Sequence, residues 1–404
     1  MSRGVEDGGA LGGAAARPSP RKAVRGGGGR FRLMALLGVR MMFHDRFKLM
    51  GTLLGVVFAV VLVNQQIGVL FALLDKNTML VDHAGADVWV LPPSTQTLAG
   101  GSPISISALS QARTAPGVAW AEPLAYGTAI MRRPDGGNEP VTLLGTRLPR
   151  RAGGPWNLVA GDPVELMQPD VVFFEDAQRT KLGGVNRRSV RELSGHRVVV
   201  GGFTWGLSPF GPPYAFSEYD TARSILRIAS DQTSYVLVGI EPGQTPEAVR
   251  DALQARLPAT RVVTAREFSR SIVMYLLAAQ LGISFGTSTA FAVIVGFVIV
   301  ALSMFSAVVD NVREFGTLKA MGCSNWNLAC LLWMQSLLYA FLGTTFGLFL
   351  VTRMAEGIRS ANLSLVLPPW MWFGSYFFMA ALCVVASTLA LVRVRNVEPG
   401  MVFR

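Results

Sequence analysis

The sequence predicts an α-helical membrane protein with four transmembrane helices plus an α+β extracytoplasmic domain between the first and second spans. Three observations point there. Half of the 404 residues are hydrophobic and only 16% are charged, a composition that belongs to the bilayer rather than to soluble domains. The stretches 49–74, 271–309, 328–352 and 370–392 contain no Asp, Glu, Lys or Arg, and about twenty such residues suffice to cross a hydrocarbon core. Between the first two lies the polar segment 75–270, with twenty Lys/Arg against nineteen Asp/Glu. A long, balanced segment of that kind is translocated regardless of its positive charges.

Residues 1–30 are rich in Gly, Ala and Arg, with R-G-G-G-G-R at 25–30, and carry too few apolar side chains to pack, which predicts a disordered basic tail. In 31–48 the pattern changes. Leu36, Val39, Phe43 and Phe47 share a helical face while Arg32, Arg40, Arg46 and Lys48 lie off it, as in a helix lying in the cytoplasmic membrane interface. Residues 1–48 hold ten Lys/Arg against Glu6, Asp7 and Asp45, which is +7 of the net charge of +11. The basicity therefore sits beside the membrane, where anionic lipid attracts each basic residue by roughly 1 kcal/mol. No aromatic platform precedes Phe31, so a lipid membrane rather than nucleic acid is the expected partner.

All three cysteines, Cys323, Cys330 and Cys383, lie outside 75–270, so no disulfide framework supports the outer segment. His44, His83 and His196 lack partners at metal spacing, and no metal site is expected.

The first span, 49–74, is too long and starts too late for a cleavable signal peptide. In 75–270, D-V-W-V-L from Asp87 reads as a strand, 105–114 as a helix, 118–131 as a strand and P-D-G-G-N from Pro134 as a hairpin turn. S-Y-V-L-V-G-I from Ser234, a helix over 246–257 and a strand over 260–264 form a strand, helix, strand unit, which suggests ferredoxin-like pieces. The Gly- and Pro-rich stretch 153–213 gives no readable order.

The run 271–309 would reach roughly 58 Å as one helix, at about 1.5 Å per residue, so part of it stands outside the membrane as a stalk on the second span. Its Gly, Ser and Thr residues between Gly282 and Thr289 favour a kink. A polar loop, 310–327, precedes the third span, 328–352. An external loop, 353–369, carries Arg353, Glu356 and Arg359; the fourth span is 370–392 and a tail, 393–404, follows. With 1–48, 310–327 and 393–404 inside, fifteen Lys/Arg lie on that side and two in the short outer loop, which satisfies the positive-inside rule with both termini cytoplasmic.

Small residues four apart, Gly51 and Gly55, Gly282 and Gly286, Gly343 and Gly347, suit close helix packing. Gly282 to Gly286 also spells G-x-S-x-G, but a nucleophile elbow needs a strand-to-helix turn and a histidine partner, and here the motif lies in an apolar helix. None of the five lysines follows a glycine, so the chain contains no phosphate loop. No span carries an internal charge, which argues against an ion-coupled relay. No catalytic residue and no cofactor is expected in this chain, and energy has to come from a partner.

In the loop, Val312, Phe315, Leu318 and Met321 recur every third residue near one helical face, with Arg313, Glu314 and Lys319 elsewhere. An ordinary interfacial connector and a docking element both fit that periodicity. Arg313 to Ser324, R-E-F-G-T-L-K-A-M-G-C-S, resembles the loop that marks the FtsX-like permease family of ABC transporters, with Phe315 and Cys323 as mild departures. The tail R-V-R-N-V-E-P-G-M-V-F-R is similar to the family's closing segment. D-V-W-V-L and the short form without a fused ATPase look most like DevC-type permeases, relatives of MacB-type exporters.

The resemblance implies a homodimer in the bacterial inner membrane, an ATP-binding ABC subunit that holds ATP and Mg, and a periplasmic adaptor with an outer-membrane channel. It implies export by mechanotransmission, with Arg313, Glu314, Phe315, Gly316, Leu318, Lys319 and Gly322 as the ATPase-coupling residues. Release of lipoproteins and regulation of cell-wall hydrolases are alternatives within the family. A membrane-bound sensor is the alternative from another class.

Overall fold

The computed structural model describes residues 46–99, 101–147, 150–208, 211–310, 316–317, 321, 323–357 and 368–395. Four helices are long and apolar enough to cross a membrane: α1 (Arg46–His83), α6 (Gln280–Asp310), α7 (Asn325–Gly357) and α8 (Pro369–Arg395). The outer domain lies between α1 and α6. It contains helices α2 (Ser107–Arg113), α3 (Tyr219–Ile225), α4 (Pro246–Arg256) and α5 (Ala265–Ala278).

Its first half is built from β1 (Val88–Leu91), β3 (Val118–Arg132), β11 (Tyr235–Ile240) and β12 (Arg261–Thr264), which lie side by side in the order β12-β1-β11-β3. Helix α2 connects β1 to β3 and α4 connects β11 to β12. The strand, helix, strand unit read from the sequence is therefore split: β1 inserts between β11 and β12, antiparallel to both. This is the interleaved order of a ferredoxin-like sheet.

Along β1 successive side chains enter two different cores, because period-two alternation sends neighbours to opposite faces. Val88 and Val90 pack under α2 and α4 with Val249 and Leu253. Trp89 and Leu91 face the other way, against Leu80 of α1 and Phe268 and Ile272 of α5. With both faces covered, the strand reads as an unbroken apolar run, V-W-V-L.

The second half is inserted between β3 and β11. The unordered stretch 153–213 resolves here into β5 (Leu158–Ala160), β6 (Val171–Glu175), β7 (Val190–Leu193) and β8 (His196–Thr204), with β4 (Asn138–Thr146) before it and β9 (Tyr214–Glu218) after it. These continue the same sheet as β3-β4-β9-β6-β8-β5, with β7 bridging β3 and β8. Two short strands, β2 (Ile104–Ser105) and β10 (Gln232–Thr233), pair separately. Strand β3 serves both halves: 118–124 pairs with β11 and 124–132 with β4. The stretch defeats sequence reading because its parallel partners, β4 with β9 and β6 with β8, lie far apart along the chain and periodicity carries no information about partner choice.

Three boundaries differ from the sequence reading. The first helix continues past 74 to His83, because Met79, Leu80 and Val81 are buried against the outer domain and extend the helix beyond the lipid. The uncharged run 271–309 is two helices rather than one. Helix α5 starts earlier, at Ala265, and the chain turns extended at Ala279 (ψ −167°) before α6, so the interruption falls before Gly282. Helix α7 runs on to Gly357. The tail 1–30, most of the interfacial helix 31–48, most of the outer loop after Gly357 and the end of the chain after Arg395 lie outside the described residues.

Candidate functional site

Two places connect the spans to what lies beyond them, the polar loop and the junction of span and outer domain. In the loop, Gly316 is helical and buried and Thr317 is exposed. Met321 N–H donates to Thr317 O at 3.0 Å, and Met321 is exposed. Arg313, Glu314, Phe315, Leu318, Lys319 and Gly322 lie outside the described residues. Just beyond, the Ser324 hydroxyl accepts from Asn327 N–H at 3.3 Å and starts α7, as a helix-initiating serine does. Trp326, exposed, stacks edge-on against Trp333 at 5.5 Å.

The junction is the better defined of the two. Helix α5 leaves β12 directly, with no linker. Thr264 closes the sheet and caps the helix: its side chain accepts from Glu267 N–H and the Glu267 carboxylate accepts from Thr264 N–H at 2.9 Å, a reciprocal capping box. Phe268 and Ile272 on α5 are fully buried in the core that holds Trp89, with the Phe268 and Trp89 rings 5.4 Å apart. The Ser269 hydroxyl donates to Asp82 Oδ1 at 2.8 Å, which ties α5 to the outer end of α1. Helix α5 is therefore both continuous with the sheet and packed into its core.

Helix α1 grips the inserted half. His83 stacks on Trp156 with ring centroids 4.9 Å apart and planes 2° from parallel. Lys76 Nζ donates to the Gly206 carbonyl, and Glu175 accepts from Gly206 N–H at 2.6 Å, Leu207 N–H at 3.0 Å and the Thr204 hydroxyl at 3.0 Å. Glu175 is fully buried. Burial pushes its carboxyl above the usual range, against those three hydrogen bonds and the Lys76 charge, which pull it down. This pair is not legible from local sequence, since β1 to β5 lie between Lys76 and Glu175 along the chain.

Within the bilayer part, α1 packs on α6 and α7, and α8 on α7 and α6. A Cβ at Gly55 would fall 2.6 Å from Ile299 Cγ2, and one at Gly347 2.6 Å from Val60 Cγ1. Gly343 faces Val56 just as tightly, and Gly296, not singled out by its spacing, faces Ala59 at 2.6 Å. Around Gly51 and Gly286 there is open space within this chain, and Gly282 sits against the Leu277 carbonyl at the α5 to α6 break. The G-x-S-x-G motif lies inside α6. Asn64, buried in α1, accepts from the Ser375 hydroxyl at 2.8 Å beside an apolar cavity of about 260 Å³ between α1, α6 and α8.

Two family models divide the chain along these same lines. Residues 49–256, more than half of the chain, match the MacB-like periplasmic core domain, and residues 286–399 match the FtsX-like permease C-terminal domain. The chain belongs to the FtsX-like family of ABC permeases. Among solved structures, the extracellular domain of the noncanonic ABC-type transporter YknZ from Gram-positive bacteria is similar at 13% identity, over 44% of this chain and 98% of that one, with a TM-score of 0.34. The periplasmic region of MacB from Actinobacillus actinomycetemcomitans is similar at 12% identity, over 48% and 95%, with a TM-score of 0.35. A domain of a putative permease from Porphyromonas gingivalis is similar at 17% identity, over 45% and 88%, with a TM-score of 0.30. No curated protein matches the sequence. This FtsX-like permease is thus a multi-pass membrane subunit of an ABC transporter, and its family implies a partnering ATP-binding subunit.

Proposed function

We propose that this permease works by mechanotransmission: ATP hydrolysis in its partner subunit moves the loop 310–327, and α6 and α1 carry that motion to the outer domain, which acts on cargo already outside the inner membrane. The observation that carries this reading is the linker-free passage from β12 through Thr264 into α5, broken only at Ala279 before α6, with Phe268 and Ile272 locking α5 into the sheet. A domain tethered by flexible linkers would transmit nothing. The positive-inside count favours cytoplasmic termini and a cytoplasmic loop.

A homodimer is part of this proposal. Phe291, Val295, Val298, Leu302 and Phe305 are all exposed along α6, at alternating steps of four and three, the spacing of a helix seam. Of the four spans α6 is the least covered by its own chain, and a second copy across that seam would cover it. A periplasmic adaptor, an outer-membrane channel and a DevC-type export role complete the reading; they rest on the family resemblance. Lipoprotein release and regulation of cell-wall hydrolases use the same mechanics and differ only in cargo.

The test is to break the path without removing any contact. Three glycines inserted after Ala279 should leave ATPase binding and turnover at wild-type level and abolish export in cells. Wild-type export from a well-expressed insertion variant would overturn mechanotransmission through α6.

A further inference from the structure

Between the stalk helices and the outer sheet lies a cavity of about 370 Å³, within the size range of small-molecule sites. Tyr126, Tyr214, Tyr235, Asn77, Thr142 and Ser234 line it, and no Asp, Glu, Lys or Arg is among its described lining residues. Tyr214, only 1% exposed, contributes its phenol to this lining. The Tyr235 hydroxyl donates to Leu98 O at 2.6 Å and keeps its lone pairs as acceptors. The Tyr126 and Tyr235 rings, 5.8 Å apart, add aromatic surface.

We propose that this cavity binds an uncharged, hydroxyl-bearing ring of sugar or cyclic-polyol type. The absence of charge in the lining disfavours ionic ligands, whose desolvation nothing there would offset. Hydroxyls of the ring would both accept from and donate to the phenols, while its C–H faces lie on the aromatic rings. The phenols stay neutral across physiological pH, because burial raises the Tyr214 hydroxyl most, with Tyr126 and Tyr235 adding to it. Ile272 and Tyr275 of α5 form one wall, so an occupant touches the stalk as well as the sheet. The site goes beyond the mechanotransmission reading and does not depend on it.

The test uses the full chain without its ATPase, in phosphatidylcholine nanodiscs free of sugar detergent. Methyl glucoside, methyl galactoside and myo-inositol are titrated calorimetrically as water-soluble probes, and octyl glucoside in the bilayer as a lipid-borne one. Saturable binding is expected for at least one, at least tenfold weaker in Tyr214→Phe, which removes only the hydroxyl, and lost in Thr128→Trp, which fills the exposed mouth. Binding of a soluble probe marks a free sugar or polyol, whereas binding of octyl glucoside alone marks a lipid-linked one. Saturable binding by none of the four, or equal binding by wild type and both variants, would overturn the proposal, as would glucuronate binding as tightly as the neutral probes.

Discussion

Lys76 and Glu175 hold opposite sides of one residue: the Lys76 ammonium donates to the carbonyl of Gly206 and the Glu175 carboxylate accepts from its N–H at 2.6 Å. Lys76 belongs to the outer end of the first membrane helix and Glu175 ends β6 in the inserted half of the domain. The polar clamp therefore joins a span to the inserted half of the outer domain, which is distant from it in chain order. Together with the Thr264 capping box on α5, it makes both stalks rigid attachments.

Lys76→Met should loosen this attachment. Removing one partner leaves a buried carboxylate with less compensation, at a cost on the order of 2 kcal/mol given that Lys76 is only half-buried. The expected result is a lower Tm and faster hydrogen exchange at Gly206 and Leu207, with the β12 to α5 connection unchanged. Unaltered exchange at both amides would show that the clamp does not hold the two parts together.

Glu175 also sets a pH dependence. Its folded carboxyl lies above the ordinary value of 4.5, so the folded chain keeps this proton at pH values where the unfolded chain has lost it. Stability from this residue is full below the ordinary carboxylate range and is lost as pH rises through the window up to the raised folded value. Thermal melts of wild type and Glu175→Gln should converge at the acid end, and the wild type should fall relative to the variant across that window. A relative rise would mean that Lys76 and the three hydrogen bonds outweigh burial.

The glycines of the bundle should separate into two groups. Gly343→Leu and Gly296→Leu push side chains into Val56 and Ala59, and overpacking of this kind costs about 1–3 kcal/mol. Gly51→Leu meets nothing within 4 Å in its own chain and should leave the melting of the monomeric unit unchanged. Equal losses at all three positions would place Gly51 in an interface with a second copy.

The coupling role proposed for 310–327 is tested by Glu314→Ala combined with Phe315→Ala. Expression and folding of the outer domain should be normal, while export is abolished by release of the ATPase or by uncoupling of its turnover. The control is a double change at Glu356 and Arg353, which pair with each other in α7 at 2.9 Å and should tolerate replacement. Normal export from the loop variant would reduce 310–327 to a connector.

Orientation is checked by labelling single cysteines from outside. Positions 135 and 356 should react and positions 314 and 398 should not. Outside reaction at 314 would invert the four-span arrangement.

Composition and local pattern sufficed for much of this protein. The four apolar runs announce the spans because a bilayer imposes a length and a charge rule that any single stretch must satisfy alone. The strand V-W-V-L, the hairpin at Pro134 and the helix over 246–257 were legible for the same reason, each being specified by its own residues. R-E-F-G-T-L-K-A-M-G pointed to the family because it is a contiguous motif.

Tertiary structure alone decided the rest. The insertion of β1 between β11 and β12, the joining of both halves through β3 and the parallel pairings within 140–218 depend on partners distant in sequence, which no window contains. The extension of α1 to His83 depends on Met79 and Leu80 finding the Trp89 core. The clamp at Gly206 and the phenol-lined cavity exist only because Lys76 meets Glu175, and Tyr126 meets Tyr214 and Tyr235, after the chain has closed. Charges and hydroxyls of that kind look solvent-bound in a sequence, and only burial gives them a task.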